Sequence, residues 1–168
     1  IKDVAFVPEK KNPSYHPGRC AKVYAGETYV GVFGAIHPLV AKKYGLNGEV
    51  LAAELAIDSL FAVADNTKLY QQLPKFPAST RDIAILCDDE IPVASLEKAI
   101  RNAVGKILEN VTLFDVYKGD QIPSGKKSVA YSLIMRASDR TLTDEECDTA
   151  MKKAIAALEN DFGATLRG

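Results

Sequence analysis

Four residues in the second half of the chain are of types that could hold a planar ligand: Ala84, Asp115, Tyr117 and Ser128. Asp115 and Tyr117 alternate within the run VTLFDVYK, and side chains of a β-strand alternate between its two faces, so they share one face. Tyrosine can stack on a base, aspartate can accept hydrogen bonds from ring N–H groups, and alanine leaves room. The pattern predicts a pocket for a flat, hydrogen-bonding ligand such as a base. A solvated sheet face that carries a tyrosine is the alternative.

Three alternating runs are expected to carry these residues as strands. The first is RDIAILC, the second VTLFDVYK and the third KSVAYSLIMR. Each run has one strongly apolar face, formed by Ile83, Ile85 and Cys87 in the first strand and by Val129, Tyr131, Leu133 and Met135 in the third. Simple alternation in the second strand also puts Phe114 on the apolar face, so Phe114→Ala is expected to unfold this part of the chain.

Helical patterns separate these strands. PVASLEKAIRNAVGKIL has apolar residues at helical spacing, and Thr143 with Glu146 forms a capping box before a second apolar stripe that ends at Gly163. ATLR follows as a short fourth strand. The order predicts an α+β, ferredoxin-like βαββαβ sandwich in which two helices cover one sheet face. The open face then carries Ala84, Asp115, Tyr117 and Ser128.

The first half of the chain is less regular. It predicts a hairpin that turns at Gly26, a short helix between Pro38 and Gly45, and a strand at 50–57 that is apolar on both faces and therefore central. We interpret this half as a partial antiparallel α+β segment of a longer protein. The predicted domains are 1–62 and 77–168, with a linker at 63–76; the stretch 62–78 around this linker lacks periodicity and contains two prolines.

Charge and hydropathy exclude several classes of protein. A formal net charge of −1 argues against a basic surface that coats nucleic acid. The segment 111–142 nevertheless holds five basic and three acidic residues, so its charge of +2 suits a local phosphate contact, for which Arg81, Lys126 and Lys127 are candidates. The chain has no apolar run of 18 residues, so we expect no membrane span.

Catalytic and metal-binding residues are not predicted. Cys20, Cys87 and Cys147 show no C-x-x-C spacing, which argues against a zinc site or a disulfide and is typical of reduced thiols in a cytoplasmic protein. His16 and His37 each precede a proline and have no partner in a recognisable catalytic set. We therefore expect no active site, no metal and no cofactor in this stretch.

Several long motifs resemble one family. FPASTRDIAILCDDEIP, LFDVYKGDQIPSGKKSVAYSL and DRTLTDEE are similar in order and spacing to the ferredoxin-fold anticodon-binding domain of the bacterial phenylalanyl-tRNA synthetase β subunit. NPSYHPGRCAKVYAGETYVGVFGAIHP and YGLNGEVLAAELAID resemble the end of the catalytic-like, class II synthetase-like domain of that subunit.

The resemblance implies a function for the whole parent enzyme. It implies an α2β2 ligase that joins phenylalanine to tRNA-Phe, with ATP and Mg²⁺ bound by the α subunit. It also implies that Ala84, Asp115, Tyr117 and Ser128 line a pocket for the first anticodon base, a guanine, with Tyr117 stacked on it. Thr80 departs from the family pattern, in which a second basic residue is common.

Two other functions are compatible with the same order of elements. A small-molecule, amino-acid-sensing regulatory domain shares the βαββαβ order, although its ligand sites usually lie near a Gly-bearing turn and CDDEIPVAS has none. A generic RNA-recognition sheet would need aromatic residues on two central strands of the open face, and only Tyr117 is expected there.

Overall fold

A computed structural model describes residues 1–65, 67, 69–70 and 72–167. The chain divides into two compact units, Ile1–Tyr70 and Gln71–Gly168. The predicted linker at 63–76 includes residues 66, 68 and 71, which lie outside the described residues, as does residue 168 at the end of the second predicted domain.

The first unit is built on a four-stranded antiparallel sheet with the order β1-β2-β3-β4. Its elements are β1 Val4–Pro8, β2 Tyr15–Ala25, β3 Thr28–Ile36, α1 Pro38–Lys43, β4 Leu51–Leu55 and α2 Ile57–Val63. The hairpin of β2 and β3 turns at Gly26, whose positive φ of 58° favours glycine, as the sequence predicts. Strand β1 was not predicted.

Strand β4 lies at one edge of this sheet, and the expectation of a central strand is wrong for this unit. Among the described residues it pairs only with β3, and Leu51 is 74% exposed. An apolar run on both faces is typical of a central strand, but the position of a strand depends on which partners it pairs with.

The second unit has the order of elements that the sequence predicts. They are β5 Ser79–Asp88, α3 Val93–Val104, a 3-10 turn at Gly105–Ile107, β6 Leu108–Tyr117, β7 Lys126–Met135, α4 Asp144–Phe162 and β8 Thr165–Leu166. The strands lie in the order β6-β7-β5-β8, and each pairing is antiparallel. This α+β arrangement confirms the predicted ferredoxin-like sandwich.

The core of the second unit lies between α3, α4 and one face of the sheet. It includes the predicted apolar residues of β5 and β7, together with Leu96, Ile100, Cys147, Ala154 and Leu158 from the helices. The Tyr131 hydroxyl donates to the carbonyl oxygen of Val93 at 2.7 Å, which satisfies the polar atom of this buried ring, and burial raises the pKa of Tyr131. None of the helices that the described residues of this unit form packs on the opposite face of the sheet.

A β-bulge in β6 changes the predicted position of one aromatic residue. The pairing passes from Leu113 opposite Tyr131 to Asp115 opposite Ala130, so Phe114 is an extra residue between them. Phe114 is 58% exposed, and the expectation that it packs under the helices is wrong. By their pairing, Val111, Leu113 and Val116 lie on the core side of this strand, but only Val111 is buried in the core, whereas Leu113 and Val116 are exposed.

Candidate nucleic-acid interface

The open face of the sheet brings the four predicted residues together in two adjacent rows. In one row Asp115 lies opposite Ala130, which in turn lies opposite Ala84. In the next row Tyr117 lies opposite Ser128. The two alanines lie on the inner strands β7 and β5, between β6, which carries Asp115, and the edge strand β8. Their small side chains form a shallow floor on which a planar group could rest.

The residue that follows the last strand, Arg167, was missed by the sequence analysis. Strand β8 pairs with β5 so that the backbone N–H of Arg167 donates to the carbonyl oxygen of Ala84 at 2.9 Å. The Arg167 guanidinium donates to Ser128 Oγ at 3.2 Å and lies 5.6 Å from the centroid of the Tyr117 ring. That distance is within the range of a cation–π contact. Arg167 therefore belongs to the same surface as the four predicted residues.

These residues differ in how accessible they are. Asp115 is exposed and Tyr117 is 37% exposed, so both can meet a ligand from solvent. Ser128 is only 2% exposed and lies on β7, an inner strand, with its hydroxyl hydrogen-bonded to Arg167. A ligand that contacts Ser128 must therefore displace the Arg167 side chain.

Gly119 determines where the Tyr117 ring can lie. A Cβ atom at position 119 would be 2.6 Å from Tyr117 Cζ, well inside van der Waals contact. The ring therefore packs directly against the glycine backbone, and any larger residue at 119 would push it away. The turn after β6 thus positions the tyrosine over the open face.

The three basic candidates have different environments. Lys126 lies on the open-face side of β7 and forms a surface ion pair with Asp88 at 3.0 Å. Lys127 is only 7% exposed, and its ammonium donates to the carbonyl oxygens of Asp89 at 2.8 Å and Ile91 at 2.6 Å. A lysine bound in this way would have to break both hydrogen bonds to reach a phosphate, so the geometry contradicts that expectation for Lys127.

Arg81 is also engaged within the unit. It lies opposite Leu133, a residue of the core face, so its side chain leaves the sheet on the helix-covered side. Its guanidinium pairs with Asp144 in the first turn of α4 at 2.6 Å. Of the three basic candidates, the geometry therefore favours only Lys126 as a phosphate contact from the open face, and that role stays a prediction.

Metal binding and membrane crossing have no visible site in the described part of the chain. In residues 1–65, 67, 69–70 and 72–167, no three His, Cys, Asp or Glu side chains group closely enough to hold a metal ion. No helix formed by those residues has the length and apolar character to cross a membrane. The three cysteines are free thiols, and burial raises the pKa of Cys87.

Comparison with protein-family models assigns both parts of the chain. Residues 74–167 match the ferredoxin-fold anticodon binding domain, and residues 1–57 match the phenylalanyl tRNA synthetase beta chain CLM domain. The first of these matches covers more than half of the chain, so the chain belongs to the family of ferredoxin-fold anticodon binding domains. The resemblance that the sequence motifs indicated is confirmed.

Curated relatives agree with this assignment. The chain is 49% identical over 167 residues to a phenylalanine–tRNA ligase beta subunit of Clostridium tetani, covering 99% of this chain and 21% of the relative. It is 40% identical to the corresponding subunit of Clostridium acetobutylicum, with the same coverage, and 42% identical to that of Geobacillus kaustophilus over 94% of this chain and 20% of the relative. The chain thus spans about a fifth of the length of these relatives.

Proposed function

We propose that this chain is the C-terminal part of a phenylalanine–tRNA ligase β subunit and that its open sheet face binds the anticodon of tRNA-Phe. In the parent enzyme this contact would select the tRNA to which phenylalanine is attached with ATP. The proposed domain bounds are 1–62 for the end of the catalytic-like domain, 63–76 for the linker and 77–168 for the anticodon-binding domain. The parent would be a cytoplasmic α2β2 tetramer whose α subunit binds ATP and Mg²⁺.

The observation that carries this proposal is the pair of rows on the open face. An exposed tyrosine, an exposed carboxylate and a serine hydroxyl surround two alanines on a sheet whose other face is covered by helices. This combination supplies a stacking surface and hydrogen-bonding groups for the edge of an unpaired base, which are the contacts that single-stranded RNA sites use. The family match at residues 74–167 supports the same function.

The regulatory-domain alternative has no support from the comparisons. The relatives described above are named as ligase subunits, and both matching family models are named for tRNA synthetase or anticodon-binding functions. Asp88 ends β5, and Asp89 and Glu90 follow it in the turn that leads to α3, so these acids would repel an anionic effector at that helix start.

Tyr117→Ala in the full ligase, assembled with its partner subunit, tests the proposal. Stacking of one base contributes about 1–3 kcal/mol, so the variant should charge tRNA-Phe roughly 5- to 150-fold less efficiently. Tyr117→Phe is the matched control, because it keeps the stacking ring and should stay close to the unmodified enzyme. Both variants should keep phenylalanine-dependent pyrophosphate exchange in the absence of tRNA. Loss of that exchange in Tyr117→Ala, or unchanged charging, would contradict the anticodon site.

A further inference from the structure

The Arg167 side chain lies across the candidate base-binding surface. Its guanidinium lies beside the Tyr117 ring and hydrogen-bonds Ser128, so it occupies the space that a stacked base would need. The Arg167 backbone is held by its bond to Ala84, whereas the contacts of its side chain with the described residues are a hydrogen bond to Ser128 and a cation–π contact with Tyr117. Such contacts at an exposed site are weak enough to be exchanged for contacts with a ligand.

The sheet places Arg167 at the opposite end of a row from Asp115. Across the strand order β6-β7-β5-β8, this row reads Asp115, Ala130, Ala84 and Arg167. A carboxylate only accepts hydrogen bonds and a guanidinium only donates them. The row therefore has an acceptor at one end, a donor at the other and two small residues between them.

Guanine is a base whose edges fit this polarity. Its N1–H and N2 amino group donate on one edge, whereas its O6 and N7 accept on the other, and arginine commonly contacts O6 and N7 with two parallel hydrogen bonds. Adenine has an amino group where guanine has O6, so it would bring a donor against the guanidinium. Neither pyrimidine offers the O6 and N7 pair.

We propose that Arg167 is a specificity-determining residue that reads the O6 and N7 edge of a guanine whose other edge meets Asp115. This inference rests on the proposed function, because it assigns a further contact within the same anticodon site. When the base enters, the Arg167 side chain leaves the Tyr117 ring, the base takes its place, and the guanidinium exchanges Ser128 for the base. Ser128 Oγ is then free to bond the base or its ribose.

Arg167→Lys in the full ligase separates charge from geometry, since lysine keeps the positive charge but lacks the planar fork. Charging is measured as kcat/KM with tRNA-Phe carrying guanine, 7-deazaguanine, inosine or adenine at the first anticodon position. A bidentate contact contributes about 1–3 kcal/mol of discrimination, so the variant should lose roughly 5- to 150-fold with guanine. Arg140→Lys is the matched control, because Arg140 pairs with Asp139 and Glu146 and should tolerate the change.

The base analogues identify which contact is lost. 7-Deazaguanine lacks only N7, so the unmodified ligase should use it about 2- to 13-fold less well than guanine, and Arg167→Lys should use the two equally. Inosine lacks only the N2 amino group that faces Asp115. The loss of kcat/KM with inosine relative to guanine should therefore be the same in the unmodified ligase and in Arg167→Lys.

The two proposals fail in different ways. If the unmodified ligase does not prefer guanine to adenine at this position, the anticodon site and the role of Arg167 are both wrong. If it prefers guanine but shows no deficit with 7-deazaguanine, or if Arg167→Lys keeps that deficit, only the role of Arg167 is wrong.

Discussion

Lys126 and Lys127 are adjacent in sequence, but their side chains leave opposite faces of β7. Lys126 is on the open face in a surface ion pair, which is the kind of contact that contributes little to stability. Lys127 is on the covered side, where its ammonium binds two carbonyl oxygens in the turn that leads from β5 to α3. Lys126 is therefore available to a ligand, whereas Lys127 stabilises the turn between β5 and α3.

Replacing each lysine by methionine should separate these roles. Lys127→Met leaves the Asp89 and Ile91 carbonyl groups without their donor, so it should cost about 1–3 kcal/mol of unfolding free energy in denaturant unfolding of the chain. Lys126→Met should cost less than about 1 kcal/mol. In the full ligase, the logarithm of the tRNA-binding constant falls as the logarithm of the salt concentration rises. Lys126→Met should make this slope shallower by about one, whereas Lys127→Met should not change it. The reverse pattern would restore Lys127 as the phosphate contact.

At the scale of elements, helix α4 is held at its start by side chains that were readable in the sequence. The Thr143 hydroxyl accepts from the Glu146 backbone N–H, and the Glu146 carboxylate accepts from the Thr143 backbone N–H at 3.0 Å. Arg140 also donates to Glu146. A cap of this kind stabilises a helix by about 0.5–2 kcal/mol.

The Glu146 carboxylate should make the free energy of unfolding decrease as the pH falls into the acid range. The hydrogen bond from the Thr143 backbone, followed by that from Arg140, lowers the pKa of Glu146 below its ordinary value of 4.5. Its charge therefore stabilises the folded chain above that pH, and this contribution is lost as the pH falls through the lower folded-state pKa. Glu146→Gln should be less stable than the unmodified chain at pH 7, and the difference should shrink below about pH 4.5 in thermal unfolding.

Glu145→Gln is the matched control for this experiment. It removes the same charge from the same helical turn, but Glu145 accepts no capping hydrogen bond from the Thr143 backbone. It should therefore show a smaller loss at pH 7 and a weaker pH dependence. Equal behaviour of the two variants would mean that the helix dipole, and not the cap, accounts for the stabilisation.

At the scale of the whole molecule, the two units differ in how much apolar surface they bury. The second unit has one continuous core between helices and sheet, with large side chains such as Tyr131, Leu133 and Leu158 fully buried. In the first unit the helix α2 has no buried residue and β4 is almost wholly exposed. Buried apolar area is the main source of folding stability, so the two units should not be equally stable.

Hydrogen exchange of the intact chain, read by mass spectrometry, should detect this difference. We expect the amides of β5, β7 and α4 to be the most protected, and those of β4 and α2 to exchange at least ten times faster, because their unit opens at a lower free energy. The amides of β2 and β3 serve as an internal comparison and should fall between them. Equal or greater protection of β4 would contradict the expectation.

The sequence by itself determined the local features of the second unit. Period-two and period-3.6 patterns predicted the strands and helices, since alternation and helical spacing follow from backbone geometry. The same patterns placed Tyr131 in the core and put Ala84, Asp115, Tyr117 and Ser128 on the other face, where the structure has them. The resemblance to a family depended instead on the residues, order and spacing of several long motifs, which the strand and helix periods do not specify.

Only the tertiary structure decided features that depend on which strands pair. The bulge at Phe114 changes which residues of β6 face the core. Phe114 is an extra residue that has no pairing partner on β7, so alternation along β6 is interrupted there. The turn that accepts the Lys127 ammonium lies 36 to 38 residues away in sequence. Arg167 meets Ser128, 39 residues away, only because β8 pairs with β5. Such long-range contacts leave no periodic signal, since a pattern within one strand records its own faces and not the identity of its neighbour.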